Sequence, residues 1–375
     1  MSARLPVAHY VSGILNGDRA VMGRAISVIE SDLPSDKVLA EQILDGVLPR
    51  TGKSRRIGIT GVPGSGKSTF IDALGMHLLH ELGEKVAVLS VDPSSPVSGG
   101  SILGDKTRME RLSGQPNTFI RPSASRGYLG GVARRTRECI LVCEAAGYQN
   151  VLVETVGVGQ SEIEVRSMTD FFLLLMIPGA GDELQGIKRG IIEMVDGMVI
   201  NKADGENLRA ARRARMQSES ALRMFAPNRR GWTARVLTCS ALENRGIREV
   251  WQMILDHRAQ QEAGGYLERR RQAQALSWMR EVISSGLQEI FQNATAVQER
   301  LSRLEDSVRE GTISPTRAAR ELLGLYHDLS PRLSMGSGSP PLRDRRVLSH
   351  SETDHRLKQP KYIESEISWT YPSLF

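Results

Sequence analysis

The sequence predicts an α/β fold, a mostly parallel sheet flanked by helices, preceded by a small helical unit and followed by a helical extension. Three observations carry this. Between residues 55 and 246 short β-rich runs alternate with helical stretches: RRIGITG, KVAVLSVD, NVLVET, DFFLLLMIP, GMVINKAD and ARVLTCSAL. Such alternation is the mark of repeated strand–helix–strand units. The runs are continuously apolar rather than alternating, as strands covered on both faces should be. The first run leads directly into GVPGSGKST, a glycine-rich phosphate loop placed between a strand and a helix.

The elements before the sheet read as helices. Val21, Met22, Ala25, Ile26 and Ile29, then Val38, Leu39, Ile43 and Leu44, recur at helical spacing, with Asp18 and Ser35 as N-caps. Residues 1–54 are therefore expected to form an N-terminal helical unit and residues 55–246 the sheet domain. After residue 246 the strands stop. Leu276, Met279, Ile283, Leu287 and Ile290 step by three and four, and Leu301, Leu304 and Val308 continue the pattern. The stretch SPTRAARELLGLYHDL opens with Ser314 as N-cap and Pro315 at the first helical position. Residues 247–330 thus read as a helical extension, either padding for the sheet or a dimer surface. Residues 331–375, rich in Ser, Pro, Gly and charge, read as a disordered tail.

Composition bounds the partners. The 375 residues carry 49 Lys and Arg against 43 Asp and Glu, a net charge of +6. That excess suits an acidic ligand without indicating nucleic acid. The basic runs RAARRARM and LERRRQ lack interleaved aromatics for base stacking and read as solvated helix faces. Three cysteines are too few for a disulfide framework, which points to a reducing compartment. The longest apolar run, FFLLLMI, falls far short of the ~20 residues a membrane helix needs. The N-terminus lacks the apolar core of a secretory signal. The expectation is a cytoplasmic protein with no membrane and no nucleic-acid partner. His77 with His80, and Cys139 with Cys143, share helix faces, but no third ligand completes a metal site.

The phosphate loop comprises Gly61, Val62, Pro63, Gly64, Ser65, Gly66, Lys67 and Ser68, followed by Thr69. Glycines let backbone N–H groups curl round phosphates, and the helix N-terminus adds a favourable dipole. Lys67 reaches the outer phosphates and the Ser68 hydroxyl serves Mg²⁺. The base is chosen elsewhere, at Asn201, Lys202 and Asp204 in VINKAD. A carboxylate at Asp204 accepts from N1–H and the 2-amino group of guanine, a donor pair that adenine lacks. The Lys202 stem covers the flat base. Ser240, Ala241 and Leu242, at the next strand end, place backbone N–H groups near the guanine carbonyl. Together these motifs, all at carboxyl ends of strands, select GTP.

Asp92 and Glu154 are acidic groups at strand ends facing the Mg²⁺ position, and Gly157 has the spacing of a switch glycine. The loop SSPVSGGSILGDKTRM, with Asp105, is expected to be ordered by the γ-phosphate and Mg²⁺. Many GTPases place a water-orienting glutamine directly after the switch glycine. Here Val158 holds that position. Intrinsic hydrolysis is therefore expected to be slow, with Gln160, or Gln185 and Lys188, as candidates for the missing group beside Lys67.

GITGVPGSGKSTF, LSVDPSSPVSGGSILGDKTRM, VETVGVGQSE and INKAD together resemble the methylmalonyl-CoA mutase-associated GTPases, the MeaB or ArgK family, across residues 8–330. The resemblance implies a homodimeric GTPase chaperone that binds the adenosylcobalamin-dependent methylmalonyl-CoA mutase, gates cofactor loading and protects the enzyme from inactivation. It places Ser68, Asp92, Asp105 and Glu154 around magnesium and makes the segment of Gln185 and Lys188 an extra switch that relays the partner's presence. It also turns the 276–308 seam into the dimer surface. Two rival readings are a nickel- or zinc-insertion GTPase and a kinase tied to arginine and ornithine transport.

Overall fold

The structure, a computed structural model, describes residues 4–91, 109–122, 129–155, 160–179, 189–223 and 231–333. The chain divides into two compact units, Met1–Gln288 and Glu289–Phe375. Among the described residues the first holds seven strands: β1 (Arg55–Gly61), β2 (Val86–Val91), β3 (Thr118–Arg121), β4 (Asn150–Thr155), β5 (Phe171–Met176), β6 (Gly197–Ile200) and β7 (Arg235–Thr238). They form one sheet in the order β3-β2-β4-β1-β5-β6-β7, and every pairing is parallel. All carboxyl ends therefore lie along one edge. The phosphate loop leaves β1, flanked by the ends of β4 and β5.

The continuous apolar runs divide their side chains between two cores, as strand geometry requires. In β5, Phe172, Leu174 and Met176 enter one core, while Phe171, Leu173 and Leu175 enter the other. The first core receives α1 (Val7–Leu15), α2 (Arg19–Ile29) and α3 (Pro34–Val47). It also takes α6 (Leu129–Ala145), α7 (Gln160–Met168), α8 (Arg189–Met194) and α9 (Leu208–Arg223). The second receives α4 (Lys67–His80), α5 (Glu110–Ser113) and α10 (Ile247–Ala263). The N-terminal helices thus share a core with the sheet: Met22, Ala25 and Ile26 are fully buried there with Val151 and Val153 of β4.

Three local expectations need correction. The sequence showed six strands, and the structure adds β3. Its four residues end in Arg121 and pair only with β2 at the sheet edge, too short a run to stand out by periodicity. Asp18 does cap α2, accepting from Ala20 N at 2.8 Å and Val21 N at 3.1 Å. Ser35 does not cap α3, which begins one residue earlier at Pro34, the preferred first position. The LERRRQ run is not wholly a solvated face. It opens α11 (Tyr266–Asn293), and buried Arg270 donates to Asp170 O at 2.6 Å and Thr169 O at 2.5 Å. Arg271 forks onto the Asp170 carboxylate at 2.9 and 2.6 Å. Arg270 thus satisfies carbonyls where the chain leaves α7 and Arg271 pairs with the carboxylate there, tasks that Arg performs with little loss of preorganisation.

On α11, Leu276, Met279, Ile283 and Leu287 are each more than half exposed. In the second unit, α12 (Thr295–Arg309) and α13 (Pro315–Leu333) pack on each other through Val297, Leu304, Ala318 and Leu322. Leu304 is therefore used inside its own unit and does not extend the exposed stripe. Ser314 begins α13 as expected, its hydroxyl accepting from Arg317 N at 3.3 Å. Among the described residues no helix is long and apolar enough to cross a membrane.

Candidate nucleotide site

The phosphate end is built on β1, its loop and the start of α4. Gly61 passes so close to β5 that a Cβ would lie 2.3 Å from Leu175 O. Gly66 sits at φ +82° with a Cβ position 2.7 Å from Asn201 Nδ2. Both positions exclude other residues on steric grounds. Gly66 precedes the helix and offers no side-chain cap to its first turn, so the leading N–H groups of α4 are left for an anion. Lys67 Nζ lies along the loop, donating to Gly61 O at 2.8 Å and Val62 O at 3.2 Å. Beneath it, the Thr155 hydroxyl donates to Thr60 Oγ1 at 2.8 Å and ties β4 to β1.

The Ser68 hydroxyl donates to Glu154 Oε1 at 3.2 Å. Two hard oxygens at that separation match neighbouring corners of a Mg²⁺ octahedron, about 3 Å apart for bonds of about 2.1 Å. The donor chemistry suits Mg²⁺. The other residues expected here, Asp92, Asp105 and Gly157, lie outside the described residues, as do Val158, Gln185, Lys188 and the Gln160 side chain.

The base end follows β6 and β7. Lys202 adopts φ +58°, a left-handed conformation that is costly for a lysine and marks a functional turn. The turn lays its stem across the phosphate loop, with Cε 3.9 Å from the Cβ position of Gly66. Asp204 accepts from the Ser240 hydroxyl at 2.5 Å, so one residue of the following loop orients the carboxylate of the preceding one. The Ser240 N–H goes to Arg245 O at 2.9 Å and the Ala241 N–H to Asn201 Oδ1 at 3.1 Å. Leu242 is exposed at the tip of this turn.

Asn201 unites the two ends. It is 1% exposed. Its Nδ2 donates to Ser65 O in the phosphate loop at 2.8 Å, and its Oδ1 accepts from Ala241 N. Cys239 Sγ donates to the same Oδ1 at 3.3 Å; burial, then the Asp204 charge, push that thiol up to about 12. The sequence placed Asn201 against guanine, whereas here its amide is engaged with both loops. Pattern alone does not reveal this role, because the partners are 136 and 40 residues away.

The chain matches the family model described as methylmalonyl Co-A mutase-associated GTPase MeaB over residues 22–296. It belongs to the MeaB family. The GTPase ArgK of Escherichia coli K12 is 47% identical over 317 residues, covering 84% of this chain and 95% of that protein. The mitochondrial methylmalonic aciduria type A homolog of Mus musculus is 44% identical over 325 residues, 84% of this chain and 78% of that one. A crystal structure titled LAO/AO transport system kinase superposes with a TM-score of 0.69 at 38% identity, covering 87% of this chain and all of that one. The protein is accordingly a P-loop GTPase of the MeaB family, a family associated by name with methylmalonyl-CoA mutase.

A carboxylate held by Ser240 and facing the loop of Lys202 predicts a base-selective change. Asp204→Asn should lower GTP affinity at least tenfold, the loss of about 1.4 kcal/mol or more, and raise affinity for xanthosine triphosphate. Competition titration with both nucleotides reads this, and an unchanged preference for guanine contradicts it.

Proposed function

We propose that the protein is a GTP-hydrolysing chaperone of an adenosylcobalamin-dependent methylmalonyl-CoA mutase, gating cofactor loading and protecting the enzyme from inactivation. The observation that carries this reading is the family match over residues 22–296, in a chain whose phosphate and base loops are stapled by Asn201. Gly61 to Thr69 hold the phosphates, with Lys67 leaving its loop carbonyls to meet the γ-phosphate. Ser68 and Glu154 hold Mg²⁺, with Asp92 and Asp105 completing its surroundings. Bound there, the ion would supply positive charge against the phosphates of the nucleotide. Asp204 reads N1–H and the 2-amino group of guanine, Lys202 covers the base, and the turn of Ser240, Ala241 and Leu242 meets its carbonyl through the exposed Leu242, the other two N–H groups being engaged with Arg245 and Asn201. An adenine base would leave Asp204 with its Ser240 hydrogen bond alone, a penalty of about 1–3 kcal/mol.

Val158 cannot orient water, so the intrinsic rate is slow and the segment of Gln185 and Lys188 completes the site when the partner binds. Addition of the mutase should raise GTP turnover at saturating GTP by at least tenfold, about 1.4 kcal/mol of barrier. Lys188→Ala should remove most of that rise while leaving GTP affinity in place. A turnover rate indifferent to the mutase contradicts the chaperone reading.

The protein acts as a cytoplasmic homodimer through the stripe of Leu276, Met279, Ile283 and Leu287 on α11, four large apolar side chains more than half exposed on one helix. Contiguous exposed apolar surface of this kind marks an interface. Ile283→Arg should convert a two-chain mass to a one-chain mass in sedimentation equilibrium. A native protein already sedimenting as one chain sinks the dimer.

A further inference from the structure

The first unit contains a second cationic hollow, on the far flank of the sheet from β6 and β7. It is a pocket of about 360 Å³ between the N-terminal helices and the end of β3, and its lining includes Arg4, Arg19, Arg24 and Arg121 but no acidic residue. β2 and β4 separate β3 from β1 in the sheet, so the hollow is not part of the phosphate loop.

The arginines are held from behind. Asp36, itself 2% exposed, takes Nε of Arg4 at 2.9 Å and also its Nη2. Hydrogen bonds from Arg4 and Ser31 hold the Asp36 carboxyl below its ordinary range. Glu30 takes Nε of Arg121 at 3.3 Å and also its Nη2. Each carboxylate engages one side of a guanidinium fork and leaves Nη1 for another acceptor. Neither Asp36 nor Glu30 lines the hollow. Such backing fixes a guanidinium's plane before any ligand arrives, which reduces the ordering cost of binding.

The remaining two arginines set the charge. Among the described residues Arg19 Nη1 reaches the carbonyls of Gln115 and Pro116, at 3.4 and 3.5 Å, and no carboxylate. Arg24 has no carboxylate partner among the described residues. With Arg4 and Arg121 neutralised by their partners, Arg19 and Arg24 give the hollow an uncompensated charge of two among the described residues. A phosphate monoester, with its second pKa near 6, carries close to two negative charges at pH 7; a simple carboxylate carries one. Planar forks also match phosphate oxygens in pairs.

The floor supplies room for more than an ion. Gly23, in mid-helix on α2, lines the hollow, and a Cβ built there would meet nothing within 4 Å. The backbone is bare at a position where glycine costs a helix about 1 kcal/mol relative to alanine. Leu5 and Ala20, half-buried and exposed, border the same space and offer apolar surface to an organic body. We propose that this hollow is a binding site for a small organic phosphate, separate from the GTP site.

The test uses the full chain saturated with Mg²⁺ and GDP, so that the phosphate loop is occupied, titrated calorimetrically with phenyl phosphate. The expected result is one further site, weakened at least tenfold by Arg24→Gln and by Gly23→Glu, with GDP affinity and melting temperature unchanged. Gly23→Glu places a carboxylate in open space on a helix, so it tests the hollow without disturbing the core. Inorganic phosphate binding as tightly as phenyl phosphate would indicate an adventitious ion only and overturn the proposal. So would phenyl phosphate binding that both variants leave intact, or capture of a polyglutamate peptide where phenyl phosphate fails to bind.

Discussion

The nucleotide site depends on the Asn201 side chain. One carboxamide donates to the Ser65 carbonyl and accepts from the Ala241 amide, fixing the phosphate loop against the loop after β7. Because the amide is buried, neither bond is exchanged for water without leaving a polar group unsatisfied, at a cost of about 1–3 kcal/mol each. The distance between the phosphate end and the base end is therefore set before GTP arrives. Gly66 belongs to the same contact: a methyl group there would enter the space of Asn201 Nδ2, so the glycine is needed by the staple as well as by the phosphates.

The sheet supplies what the staple holds. Placing β1 between β4 and β5 sets the phosphate loop beside Glu154, which meets Ser68, and close against Leu175. Placing β6 and β7 next in order brings Lys202 and Asp204 beside Ser240 and Ala241. Two apolar cores, one on each face, fix the strands that carry these loops. The slow chemistry proposed for the site fits this arrangement: a preformed cradle binds well, and in that proposal the completing group is brought in by the partner.

Much of this was legible in the sequence because the strong signals are local. A buried parallel strand must be apolar on both faces, so β1, β4 and β5 announced themselves as unbroken runs, and the phosphate loop is a contiguous motif. Asp18 and Ser314 were readable as caps because a cap acts on residues two or three positions away. What escaped was set by distant partners. β3 has too few residues to show a period and exists because β2 offers it an edge. Arg270 and Arg271 look like a charged surface run until the Thr169 and Asp170 carbonyls and the Asp170 carboxylate, about a hundred residues earlier, are brought beneath them. The same holds for Asn201, whose bonds to Ser65 and Ala241 were invisible to spacing.

A GTPase whose phosphate and base loops act together needs a connection between them, and the buried amide provides it. The most direct measurement is amide hydrogen exchange with Mg²⁺ and pyrophosphate, which reaches the phosphate end alone. The account predicts slower exchange at Ser65–Ser68 and also at Ala241, with the Ala241 effect abolished in Asn201→Ala while that of the phosphate loop persists. Protection confined to the phosphate loop in the native protein would contradict it.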